Sequence, residues 1–126
     1  MNTKEVVDKY FDAVNAGDWE TWLTLFDDNV VMDEQLAGRI EGVESLRGGI
    51  DGLKKGYSSF QNRPLHIVVQ GNEASVVWHI EAANASGVPI DARGSNYFQI
   101  KDGKIAYMAN FHDTLPFGPF VNQKLN

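Results

Sequence analysis

At 126 residues and 14.0 kDa the chain has the length of one ordinary domain, so residues 1–126 are read as a single folding unit. Hydrophobic residues make up 43% of it, which favours a folded globule over a disordered binder, while the net charge of −6 with no basic cluster argues against nucleic acid as a partner. The absence of cysteine excludes disulfides and thiolate chemistry, and no apolar run approaches the roughly 20 residues that span a bilayer. Met1-Asn2-Thr3-Lys4-Glu5 leads directly into a charged amphipathic segment without an apolar leader, so the expected location is cytoplasmic and away from membranes.

Val6, Val7, Tyr10, Phe11 and Val14 follow the i, i+3, i+4, i+7 spacing of one helix face, and Ala16-Gly17 stops that helix. Asp18 is placed to cap a second helix carrying Trp19, Trp22, Leu23 and Phe26, which the Asp27-Asp28-Asn29 cluster should end. Val30-Val31-Met32 reads as a short strand, and Gly38 to Gly42 as a loop. Val43, Leu46, Ile50, Leu53 and Tyr57 then mark a third helix, weak in isolation because Gly48, Gly49, Gly52 and Gly56 interrupt it.

Beyond Pro64 the periodicity changes to strands: 65–70, 74–85, 90–100 and 105–112, with turn signals at Gly71-Asn72, Ser86-Gly87 and Asp102-Gly103. Helices first and an antiparallel meander second is an α+β arrangement.

Val7-Asp8-Lys9-Tyr10-Phe11-Asp12-Ala13-Val14-Asn15-Ala16-Gly17-Asp18, then Leu25-Phe26-Asp27-Asp28-Asn29 and Val31-Met32-Asp33, resemble the first helices and first strand of ketosteroid isomerase. Asn96-Tyr97-Phe98-Gln99-Ile100 and Gly103-Lys104-Ile105 resemble its last hairpin. The chain is therefore similar to the NTF2-like superfamily, which includes SnoaL-type polyketide cyclases and scytalone dehydratase. That resemblance implies three N-terminal helices packed on a strongly curved, mostly antiparallel sheet, forming a cone around an apolar pocket. It also implies a homodimer joined through the sheet.

In ketosteroid isomerase an aspartate base works with an oxyanion hole made of a tyrosine and a protonated aspartic acid. Carried onto this chain, the base position falls on Asp33, the tyrosine on Tyr10 and the second donor on Asn96, an amide in place of the acid. An amide stays neutral without any pKa shift and still offers two N–H groups to a developing enolate oxygen. The residues agree in part: Asn96 shares a strand face with apolar Phe98 and Ile100, and Asp33 ends a buried strand. The bland readings are a satisfied core amide, a solvated loop acid and a core ring at Tyr10.

The expected pocket wall comprises Trp22, Phe26, Tyr57, Trp78, Phe98, Phe111, His112 and Phe117. His79 should point away from it, and His112-Asp113 should not form a dyad, since neighbours on a strand face opposite ways. No HxH or HExxH spacing suggests a metal, and no glycine-rich phosphate loop, dinucleotide motif or serine elbow is present, so neither metal nor organic cofactor is expected. The function implied is cofactor-independent proton abstraction next to a carbonyl of a small apolar molecule, giving isomerisation, cyclisation or dehydration. The alternative is a noncatalytic NTF2-like module that binds a ligand or a protein. The apolar tail 115–121 should pack on the pocket rim, cover it, or meet a second subunit.

Overall fold

The computed structural model describes residues 1–125. The chain opens with α1 (Thr3–Ala16) and α2 (Trp19–Thr24), continues through β1 (Phe26–Glu34) and β2 (Gly38–Glu41), and enters α3 (Val43–Gly56). Four long strands follow, β3 (Tyr57–Gln70), β4 (Glu73–Asn84), β5 (Pro89–Lys101) and β6 (Lys104–His112), before a 3₁₀ turn (Leu115–Phe117) and the short α4 (Gly118–Val121).

The helix ends are fixed locally. Asn2 and Glu5 form a reciprocal capping box at the start of α1, and Gly17 closes it in the left-handed conformation at φ 66°. Asp18 accepts the Thr21 backbone N–H and hydroxyl, the cap anticipated for α2. That helix stops at Thr24, two residues short of expectation, because Phe26 already pairs with Ile105 of β6. Tyr57 likewise leaves the third helix and begins β3, opposite Asn84.

The strands form one sheet in the order β2-β1-β6-β5-β4-β3, with β1 and β6 parallel and every other pairing antiparallel. The expected strongly curved cone is not what forms. The sheet is neither strongly curled nor closed: it ends at two edges, β2 and β3, that do not pair with each other. β2 is only four residues long, and α3 contacts both edge strands. Gly38–Glu41, expected as a loop, supplies the β2 edge by pairing with Val31–Glu34. β3 starts well before Pro64, which an edge strand tolerates because its missing N–H breaks no ladder; a bulge lies between Pro64 and His66.

One face of the sheet carries the core. Along β4 and β5 alternate residues such as Val76, Trp78, Ile80, Phe98 and Ile100 are buried and meet Val6, Val7, Tyr10 and Phe11 from α1. No helix among the described residues is long and apolar enough to cross a membrane.

Candidate active site

Between the helices and the inner face of the sheet lies a cavity of about 800 Å³, lined mostly by apolar side chains. Trp19 and Trp22 come from α2, Tyr57 and Phe60 from β3, Trp78 from β4, and Phe117 and Phe120 from the C-terminal segment. The tail thus packs on the rim. Phe120 stacks on Tyr57 with ring centroids 4.3 Å apart, and the Asn84 amide donates to the Pro119 carbonyl at 2.8 Å.

Several polar groups interrupt this wall, among them Tyr10, Glu34, Asn96, Asn110 and His112. They converge because of register. Asn96 of β5 is paired with Asn110 of β6, and Gly94 with His112, so both asparagines and the histidine share the inner face. Glu34 is one residue beyond the Asp33–Ala109 pair in the parallel ladder, which brings it beside Asn110.

Asp33 points the other way. Its carboxylate takes two bonds of 2.8 Å from Arg39 and one of 2.5 Å from the Tyr107 hydroxyl, outside the cavity. The Arg39 and Tyr107 hydrogen bonds hold its pKa down to about 2. The physical reason is the strand period of two: Met32 and Glu34 face inward, so the residue between them cannot. The carboxylate that reaches the cavity is Glu34, and the adjacent Asp33-Glu34 pair was the signal from which it could have been chosen.

Glu34 is held at one oxygen. Oε2 accepts the backbone N–H groups of Leu36 at 2.8 Å and Ala37 at 2.5 Å, which tightens the β1–β2 turn. Oε1 meets only the Asn110 amide, at a long 3.4 Å. Asn110 is itself oriented by the Gln35 backbone N–H, which donates to its Oδ1 at 2.8 Å. An ionised oxygen with spare lone pairs beside an apolar cavity is a competent proton acceptor.

Asn96 is buried and its Oδ1 accepts the Trp78 indole N–H at 2.9 Å, so the amide is locked and its own N–H groups are left for other partners. The Tyr10 hydroxyl is its neighbour. Burial pushes the Tyr10 pKa up to about 12, against the opposing influence of the Trp22 and Asn96 side chains, so the phenol stays a neutral donor. Its ring packs against Phe98 at 5.2 Å and Phe11 at 5.1 Å. Tyr57 is raised as well, by burial and by the Glu34 charge.

Of the expected wall, Trp22, Tyr57, Trp78, His112 and Phe117 line the cavity. Phe26 and Phe98 lie behind it in the core, packed around Tyr10. Phe111 is on the opposite face of the sheet and 57% exposed, as the alternation with Asn110 and His112 requires. His79 also faces outward, bonding Asp91 at 2.9 Å, and Asp113 turns to the Leu115 backbone instead of the imidazole. Among the described residues no three His, Asp or Glu side chains gather as a metal ion would need.

A profile of the SnoaL-like domain matches residues 7–108. The chain belongs to the SnoaL-like domain family. Comparison of this SnoaL-like chain with curated proteins gives no significant match. Solved structures resemble it closely in fold. An NTF2-like protein of unknown function from Burkholderia pseudomallei superposes with a TM-score of 0.88 at 13% identity, covering 98% of this chain and 99% of that one. A putative polyketide cyclase from Pseudomonas putida reaches 0.79 at 24% identity, covering 98% of both chains. TerC, co-crystallised with polyporic acid, reaches 0.84 at 16% identity and covers 96% and 98%. At these identities the likeness places the SnoaL-like chain among NTF2-like folds.

Proposed function

We propose that the protein is a cofactor-independent enzyme that removes a proton next to a carbonyl group of a small, largely apolar molecule. The observation that carries this reading is the meeting of one partly free carboxylate, Glu34, with neutral donors on Tyr10 and Asn96 in an apolar cavity of about 800 Å³. Glu34 Oε1 takes the proton: the C–H bond breaks, an O–H bond forms, and the electron pair moves onto the carbonyl oxygen. The Tyr10 hydroxyl and the Asn96 amide donate to that oxygen, stabilising the enolate in a site of low dielectric. Return of the proton to another carbon completes an isomerisation; attack of the enolate carbon on a second carbonyl, whose π pair moves to oxygen and takes the proton back from Glu34, completes a cyclisation. The Pseudomonas putida neighbour, a putative polyketide cyclase, agrees with this class of chemistry.

The test is hydrogen exchange. 2-Tetralone, a bicyclic enolisable ketone, is incubated with the protein in heavy water and deuterium at the carbon next to the carbonyl is followed by NMR. Native protein is expected to exceed buffer, Glu34→Gln to lose about 10²-fold or more, and Asp33→Asn to match native. Exchange that survives Glu34→Gln sinks the assignment of the base.

A second reading has its own observation. The two backbone N–H groups on Glu34 Oε2 make it a turn-fixing carboxylate, which a noncatalytic binding module would also need. Ligand binding without exchange for any enolisable ketone would favour that module.

A further inference from the structure

We propose that His112 is a specificity-determining acceptor that recognises a hydroxyl group on the ligand, so that the molecule entering the cavity is a hydroxylated aromatic or carbonyl compound. The inference rests on the cavity being the binding site, but not on the proton-abstraction chemistry.

The imidazole has a defined proton. Nδ1 lies 2.7 Å from the Asp113 backbone carbonyl oxygen, which can only accept, so Nδ1 carries the hydrogen. In the neutral ring Nε2 is then a lone-pair acceptor. The ring is also fixed in place: its centroid is 4.7 Å from Phe117 and 5.8 Å from Trp78, both of which wall the cavity. Across the ladder Gly94 leaves the space that the imidazole needs, since a Cβ there would be only 2.7 Å from His112 Cβ. With Nδ1 tied to the backbone and two aromatic rings on its flanks, the edge bearing Nε2 is left to the cavity that His112 lines.

Two other polar groups of the cavity give the acceptor a context. Tyr10 and Asn96 offer donors, suited to a carbonyl oxygen, whereas Nε2 asks for a donor from the ligand. His112 follows Asn110 by two residues on the same strand face, a separation of about 6.7 Å along the strand. That matches the spacing of substituents across one fused ring system. A ligand with a carbonyl at the Asn96–Asn110 end and a hydroxyl at the other satisfies both, while a hydrocarbon or an ether leaves Nε2 without a partner.

The experiment compares 2-naphthol with 2-methoxynaphthalene, which has the same ring system and no O–H, by quenching of tryptophan fluorescence. Native protein and Asp33→Asn, a change outside the cavity, are expected to prefer 2-naphthol by about tenfold, and His112→Phe to bind both alike. A preference that persists in His112→Phe overturns the proposal while leaving the cavity as a binding site. Failure of both ligands to bind native protein overturns it together with the cavity. Should His112→Phe not fold, the native protein decides the matter: nitrogen NMR of the imidazoles should show Nδ1 protonated and a single Nε2 resonance that moves on addition of 2-naphthol. Binding with that resonance unmoved refutes the assignment.

Discussion

Gly94→Ala is the sharpest probe of how the cavity wall is built. A Cβ at Gly94 would stand 2.7 Å from three atoms: His112 Cβ, the Phe111 carbonyl oxygen and Trp78 Cη2. Ordinary contact begins near 3.4 Å, so each neighbour would have to retreat by roughly 0.7 Å. None can do so freely. One is main chain in the β5–β6 ladder, and Trp78 is buried with its indole bonded to Asn96. Overpacking of this kind destabilises by about 1–3 kcal/mol, and the lower chain entropy of unfolded alanine relative to glycine returns about 0.4–1 kcal/mol. The net is a loss of about 1–2 kcal/mol, or a fall in Tm of about 4–8 °C for a domain of this size. Thermal unfolding by circular dichroism reads it, with Gly48→Ala as the control. Gly48 sits within α3 with nothing within 4 Å of a Cβ, so alanine there should raise Tm through helix propensity worth about 1 kcal/mol. A Gly94→Ala protein as stable as native would refute the close packing of Trp78 and His112 over that glycine.

Three further outcomes follow from the same geometry. Asn96→Leu should lower stability by about 1–3 kcal/mol in urea denaturation, because the buried Trp78 indole N–H loses its partner; an unchanged midpoint would show that bond to be dispensable. Asp33 has a depressed folded-state pKa, so its contribution is present above the ordinary carboxylate range and is lost as pH falls toward about 2; Asp33→Asn should flatten that part of the acid-unfolding curve, and identical curves would contradict the Arg39–Tyr107 clamp. The outer sheet face exposes Phe111 and Val77, and the homodimer implied by the resemblance should form there, with Phe111→Lys dissociating it; a 14.0 kDa species at micromolar concentration by light scattering would rule the dimer out.

The helical stripe of α1, the Asp18 cap, the strands β4, β5 and β6 and only the later part of β3, from Leu65, are legible in the sequence because each depends on local periodicity or local hydrogen bonding. What fails are features set by partners distant in the chain. β2 exists because Val31–Glu34 lies beside it, and nothing in Gly38–Glu41 alone marks a strand. The open sheet departs from the cone because its edges β2 and β3 stay unpaired, a property of the whole strand order that no single segment carries. Within the site, Tyr10 and Asn96 were recoverable from their positions, whereas Asp33 and Glu34 differ by a single step that inverts the facing of a strand. The pairing of Asn110 with Glu34 across β6 and β1 has no signature at either position.

The parallel ladder between β1 and β6 also governs when the site comes into being. Asp33 pairs with Ala109, so the strand carrying Glu34 cannot complete its register until almost the whole chain has been gathered. Such non-local closure slows folding relative to the local helices and hairpins that precede it. The β3–β4 and β4–β5 hairpins can form from neighbouring sequence, but the cavity's carboxylate and amide meet only when β1 pairs with β6. A chain shortened before β6 would lose the strand that joins β1 to β5, and with it the site.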